Sequence, residues 1–199
     1  MFSLITHLEC MECSRKYSVD QPATICVCGA PLLAQYDLAS AHEAACSGEF
    51  PSKMNSMWRY SQLLPVKVHS CIASLGEGWT PLLISRKIGT HLGLRLLRIK
   101  DESQNPTLSF KDRGLSAAVS KHVELGSETF ALPSAGNAGV SASAYGAVSG
   151  KQVYVFMPED TPRAFFKDCS LYGAEVVPVK GTISDAAAEM KRFGGEWTD

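Results

Sequence analysis

The sequence predicts an α/β fold, a parallel sheet of βαβ units with a small cysteine-rich module ahead of it. Three observations support this. From residue 94 onward, short apolar runs alternate with helical stretches of about a dozen residues. Four of the seven cysteines crowd between Cys10 and Cys28. Two loops, 105–114 and 133–139, combine small and polar residues and each leads into a helical stretch.

The alternation runs in order. Residues 94–99 read as a strand and 110–125 as a helix. Strand 128–132 precedes helix 138–149, strand 152–157 precedes helix 162–172, and strand 175–179 precedes helix 183–193. Strands separated by helices of this length close as right-handed crossovers in a parallel sheet. Met157-Pro158 ends its strand because proline cannot donate to a ladder, and Gly173-Ala174 gives a return turn. Upstream, 38–48 is alanine-rich and reads as a short helix or linker. Trp58 and Tyr60 read as core anchors. Gly76, Gly78 and Pro81 make 74–83 a turn-rich loop running into a possible strand at 82–85. The resulting division is a cysteine-rich module over 1–37, a segment over 38–93 that packs on the α/β domain, and that domain over 94–199.

Composition excludes several classes. The chain has 199 residues, 45% hydrophobic and 20% charged, and a net charge of −1. No global basic field draws it to nucleic acid or an anionic membrane. No apolar run approaches the roughly 18 residues of a membrane helix, and residues 1–6 lack a signal-peptide pattern. The expectation is a cytoplasmic protein acting on a small molecule.

Cys10, Cys13, Cys26 and Cys28 form two tight pairs. Four thiolates so spaced can hold zinc tetrahedrally, and a metal would staple a module too small to bury a core. The second pair has one intervening residue, a departure from the commonest knuckle, and Gly29 suits the turn that follows. The alternative is a ribbon folded without metal. Nucleic-acid binding is disfavoured, because Glu9, Glu12 and Asp20 offset Arg15 and Lys16.

Lys111 falls near a helix start behind a proline-bearing loop. The positive end of the helix dipole and partial burial both disfavour a protonated amine there. Such a lysine is suited to be a Schiff-base nucleophile. The second loop, Pro133-Ser-Ala-Gly-Asn-Ala-Gly139, lets backbone N–H groups approach an anion at a helix start. It lacks both the Walker and the dinucleotide-binding spacings. Both loops are placed at the carboxyl ends of parallel strands, where ligands bind in open α/β sheets.

Asn105-Pro-Thr-Leu-Ser-Phe-Lys-Asp-Arg-Gly114, with Ser134-Ala-Gly-Asn-Ala-Gly139, resembles the threonine synthase family of fold-type II pyridoxal-phosphate enzymes. The resemblance extends to the cysteine ribbon, Trp58-Arg59-Tyr60, Gly76-Glu-Gly-Trp-Thr-Pro81, Lys100-Asp-Glu102 and Phe156-Met-Pro158. It implies that Lys111 links covalently to pyridoxal 5'-phosphate and that Asn137 bonds the ring hydroxyl. It implies that Ser134, Ala135, Gly136, Asn137 and Ala138 hold the substrate carboxylate. Ser109 and Asp112 would support the lysine segment, with Phe110 packed beneath it. The implied reaction converts O-phospho-L-homoserine and water to L-threonine and phosphate, with a homodimer as the expected assembly. Freed, Lys111 would serve as general base and acid.

Two departures accompany the resemblance. Leu108 stands where the motif often has glycine, so a positive φ is not expected there. The residues for the cofactor phosphate and ring nitrogen are expected beyond Asp199. The chain is therefore expected to be an N-terminal portion, inactive alone. The alternatives are a sister β-replacement enzyme acting on O-phosphoserine, cysteate-synthase-like, and a non-catalytic binding module.

Overall fold

A computed structural model describes residues 2–194. Strand β1 (Ile5–Cys10) pairs antiparallel with β2 (Lys16–Tyr17) and β3 (Leu32–Tyr36), in the order β2-β1-β3. This small sheet is tied to the body. The Leu4 N–H donates to the Gln62 carbonyl at 2.9 Å, and Lys67 pairs with Asp20 at 2.8 Å. Helix α1 (Leu38–Cys46) follows, capped by Asp37, whose carboxylate accepts from the Ser40 N–H at 3.1 Å.

A short 3-10 helix over Met57–Leu63 carries Trp58, which is fully buried. Tyr60 is 46% exposed and stacks edge-on against Phe50. The reading of Tyr60 as a core anchor is therefore corrected. The 3-10 turn points Trp58 inward, and Tyr60, two residues on, faces out.

β4 (Leu82–Ile84) and β5 (Arg98–Lys100) form a separate antiparallel pair around α2 (Arg86–His91). This corrects the expectation for 94–99. The strand is shorter, lies later and is outside the parallel sheet. Leu94 and Leu96 remain exposed, and the Leu97 carbonyl is taken by the Ser85 N–H at 2.9 Å. An apolar run reads as a strand of the main sheet, but β5 pairs only with β4, antiparallel.

The remaining elements follow the expected alternation. α3 (Lys111–Glu124) leads to β6 (Thr129–Pro133), α4 (Asn137–Val148), β7 (Gln152–Pro158), α5 (Arg163–Leu171), β8 (Glu175–Val179) and α6 (Ile183–Gly194). β6, β7 and β8 pair in parallel, in that order. Successive strand residues face opposite sides. Val153, Val155 and Met157 meet Val140 and Ala142 of α4 and Cys169 of α5. Tyr154 and Phe156 meet Phe193 of α6 on the other face, with ring centroids 5.7 and 5.5 Å away. A sheet covered on both faces explains why β7 is apolar at nearly every position.

α4 lies very close to the sheet. A Cβ on Gly146 would sit 2.1 Å from Val153 Cγ2, and one on Gly139 would sit 2.9 Å from Val155 Cγ1. Its small residues exist to permit that approach. Among the described residues no helix is long and apolar enough to cross a membrane.

Candidate active site

Lys111 is the first residue of α3, and Asn137 is the first residue of α4. The two helices run side by side in the same direction. Ser141 Oγ donates to Asp112 Oδ1 at 2.7 Å, and further along Val119 shares a buried cluster with Tyr145. Both helix starts therefore lie at one end, where β6 delivers the Ser134 loop. Lys111 reaches this end through the packing of α3 on α4. Its loop follows β5, outside the parallel sheet, which corrects its placement after a parallel strand.

The turn before Lys111 is fixed at several points. Leu108 adopts φ +62° and is 74% exposed. The expectation that leucine would prevent a positive φ is overturned. A left-handed leucine costs about 1–2 kcal/mol and persists only where its surroundings impose it. Here the Leu108 N–H donates to the Asn105 carbonyl at 2.8 Å, and buried Asn105 accepts from the Gly78 N–H at 3.0 Å. Fully buried Asp112 accepts from the Thr107 N–H at 2.7 Å and also from the Thr107 hydroxyl. A carboxylate in the first turn complements the helix dipole.

Ser109 is buried, and its Oγ accepts from the Lys111 N–H at 3.3 Å. The half-buried Lys111 extends Nζ over the Phe110 ring, 4.7 Å from its centroid. Among the described residues Nζ has no hydrogen bond or ion pair, so the amine is uncommitted.

The five residues Ser134, Ala135, Gly136, Asn137 and Ala138 divide by what their groups already do. The Ser134 N–H is spent on the Phe156 carbonyl at 2.9 Å. Ser134 Oγ accepts from the Gly139 N–H at 2.8 Å and the Gly136 N–H at 3.3 Å. Ser134 thus caps α4 from inside. The N–H groups of Ala135, Asn137 and Ala138 have no acceptor among the described residues. Unpaired N–H groups at a helix start are able to receive an anion. The Asn137 side chain is exposed and likewise unbonded among the described residues.

Two supporting residues gave little sequence signal. Glu77 is fully buried, and its oxygens accept from Trp58 Nε1 at 2.8 Å, Ser116 Oγ at 2.6 Å, Tyr145 Oη at 2.8 Å and the Leu75 N–H at 2.9 Å. It joins α3, α4 and the Trp58 segment at one carboxylate. Burial, and then the charge of Glu77, push the Tyr145 hydroxyl far up, so it stays a donor. Glu102 takes Arg113 in a fork, at 2.7 Å from Nε and 2.8 Å from Nη2. That guanidinium, helped by Asn105 and Thr80, holds the Glu102 carboxyl down at about 2. Arg113 is a structural ion-pair partner rather than a free substrate ligand.

In the N-terminal module, the Sγ atoms of Cys10, Cys13, Cys26 and Cys28 all lie within 4.8 Å of one another. Cys10–Cys28 and Cys13–Cys26 are 3.5 and 3.6 Å apart, and all four thiols are free. A tetrahedron with Zn–S bonds of about 2.3 Å has edges of about 3.8 Å, so the set fits zinc with little adjustment. The N–H groups of Glu12 and Cys13 both point at Cys10 Sγ at 3.4 Å. The Cys28 N–H and the Tyr17 hydroxyl lower the Cys26 thiol to about 6, while the Cys13 and Cys28 thiols lie above their ordinary value.

The sheet, its two covered faces and the paired helix starts define an open α/β core with Lys111 and Asn137 at the same end. The sequence profile for "Pyridoxal-phosphate dependent enzyme" matches residues 73–198. The chain belongs to that family. It is 37% identical over 188 residues to threonine synthase from Methanocaldococcus jannaschii, covering 94% of this chain and 46% of that protein. Threonine synthase from Methanosarcina acetivorans is 34% identical over 187 residues, covering 93% of this chain and 45% of that protein. The chain thus spans just under half the length of these relatives. Diaminopropionate ammonia lyase from Escherichia coli, solved with D-serine, superposes with a TM-score of 0.58 at 18% identity, over 63% of this chain and 37% of that one. That likeness shows the shared fold.

Proposed function

We propose that the chain carries the cofactor-lysine half of a threonine synthase, a carbon–oxygen lyase that converts O-phospho-L-homoserine and water to L-threonine and phosphate. The observation that supports this best is the pairing of Lys111 and Asn137 as first residues of two parallel helices tied by Asp112 and Ser141. Threonine synthase is also the name of the relatives matched along nearly the whole chain.

The residues present fit pyridoxal phosphate at its aldehyde and ring-hydroxyl side. Lys111 would hold the first through its uncommitted amine, and Asn137 the second through its side chain. When bound, the cofactor supplies the electron sink for the substrate carbons. The chain's own residues do the rest. The Ala135, Asn137 and Ala138 N–H groups hold the substrate carboxylate and so fix which bond lies nearest the lysine. Lys111 Nζ moves protons as general base and then general acid, which requires it to cycle through the neutral amine. Ser109 and Asp112 hold the lysine backbone still.

Incubation with pyridoxal phosphate, borohydride reduction and peptide mass spectrometry test this. The expected adduct lies on Lys111 and is lost in Lys111→Ala. An adduct spread over other lysines and unchanged in the variant would sink the assignment. Phosphate release from O-phospho-L-homoserine by the full-length protein tests the substrate. Release from O-phospho-L-serine alone would instead favour a sister β-replacement enzyme.

We also propose that residues 1–37 are a folding module of their own, stapled by zinc on Cys10, Cys13, Cys26 and Cys28. One bound zinc per chain is expected by metal analysis, with loss in Cys26→Ser. A metal-free protein of undiminished stability would refute the staple.

A further inference from the structure

A cavity beside the turn that precedes α3 contains neither Lys111 nor any residue of the Ser134 loop. Its volume is about 370 Å³, and Arg59, Lys100 and Arg113 line it together with Ser56, Trp79 and Thr80. No carboxylate lines it. Glu102 answers one of the three charges from behind, through its fork with Arg113. Two positive charges are left over in a concave wall, which raises the local anion concentration.

The donors have spare capacity. Arg113 uses Nε and Nη2 on Glu102, while Nη1 makes no hydrogen bond among the described residues. Lys100 Nζ gives one proton to the Thr80 carbonyl and keeps two. Ser56 Oγ accepts the Trp58 N–H at 3.2 Å, which leaves its own proton to donate. Arg59 Nε is buried and has no partner among the described residues. An orphaned buried donor is costly, so a missing acceptor is indicated.

The wall is rigid. The Arg59 guanidinium lies 4.4 Å over the Trp79 ring and 5.6 Å from that of Tyr60. Trp79 is held at φ +55° directly after Gly78 at +90°, with Gly76 at +89° earlier in the same turn. A Cβ on Gly78 would meet the Met57 nitrogen at 2.7 Å, so the loop presses directly on the backbone that carries Arg59. A large residue held in the left-handed region is strain of the kind that collects at ligand clamps.

We propose that this cavity binds a phosphate dianion, either free or as a small phosphate monoester. A carboxylate has two oxygens and one charge. It would leave one cation unanswered, with fewer oxygens than the three cationic side chains have free donors. A tetrahedral dianion matches the charge and offers more acceptor oxygens, with a guanidinium such as that of Arg59 as a natural partner.

The test is calorimetric titration of the chain with inorganic phosphate, O-phospho-L-serine and acetate, with Trp79 fluorescence read in parallel. Saturable binding of phosphate or the ester is expected, and the tighter of the two names the source. Arg59→Ala and Lys100→Gln should each weaken it by at least about tenfold, with Arg59→Lys restoring part of the loss. Trp79→Phe should remove the optical change attributable to that ring and keep the heat. Circular dichroism establishes that each variant is folded, and Lys100→Gln carries the test should Arg59→Ala unfold. The proposal is overturned by an absence of saturable binding up to about 10 mM, by wild-type affinity in both variants, or by acetate competing as well as phosphate.

Discussion

Replacing Glu77 with glutamine removes one charge and exchanges one oxygen for an NH2 group at the junction of α3, α4 and the Trp58 segment. Every neighbour of the carboxylate donates. On one oxygen the Trp58 indole N–H arrives at 2.8 Å, and on the other the Leu75 N–H arrives at 2.9 Å. Neither can reverse, unlike the Ser116 and Tyr145 hydroxyls. Whichever way the new amide turns, its NH2 faces one of these two N–H groups, although the Trp58 N–H keeps Ser116 Oγ at 3.0 Å and Leu75 lies in an exposed turn. The lost bond costs about 1 kcal/mol, and the surviving bonds lose their charge assistance. Relief from burying a charge acts the other way, but the lone pairs of this carboxylate are already well answered, so the relief is small. The expected net loss is about 2 kcal/mol. Urea unfolding should show the midpoint falling with the slope unchanged, since the buried surface is the same. A loss below about 1 kcal/mol would show that the carboxylate is not what joins these segments.

Other outcomes follow from the same contacts. Gly146→Ala gains about 1 kcal/mol of helix propensity but drives a Cβ to 2.1 Å from Val153 Cγ2, where overpacking costs about 1–3 kcal/mol. Denaturant midpoints should fall for it and rise for Gly114→Ala, since Gly114 lies in α3 with nothing within 4 Å of its added Cβ. The Glu102 carboxyl lies below its unfolded value in the fold, so its contribution is complete above about pH 4.5 and lost as pH falls toward about 2. Acid unfolding of Arg113→Gln should accordingly show a shallower pH dependence across that window, by about 2 kcal/mol, while an unchanged slope would remove the pair from the stability account.

From β6 onward the fold was legible because each strand is continuously apolar and each helix is closed by glycine or proline. Residues 175–179 were read with their boundaries as found. The 94–99 run misled because apolar residues also face solvent on the β4–β5 pair, and periodicity cannot say which sheet a strand will join. Leu108 was misjudged on intrinsic preference. Asn105 and Asp112 impose its conformation from both sides, a tertiary override of a local rule. The lysine and the Ser134 loop were visible as motifs. Glu77 was not, because its donors come from positions 58, 75, 116 and 145, and only the fold brings them together. An acid between two glycines was the one available hint.

The hydrogen bond from Ser141 to Asp112 also sets the angular phase of the lysine. One residue advances a helix by roughly 100°, so a single insertion between Asp112 and the packed face at Ser116 would swing Lys111 about a quarter turn from Asn137. The chain could keep its core, its ribbon and its Ser134 loop and still present the amine to the wrong side. Loop length can drift elsewhere in such a sheet, but the spacing between the lysine and the first buried serine of α3 cannot.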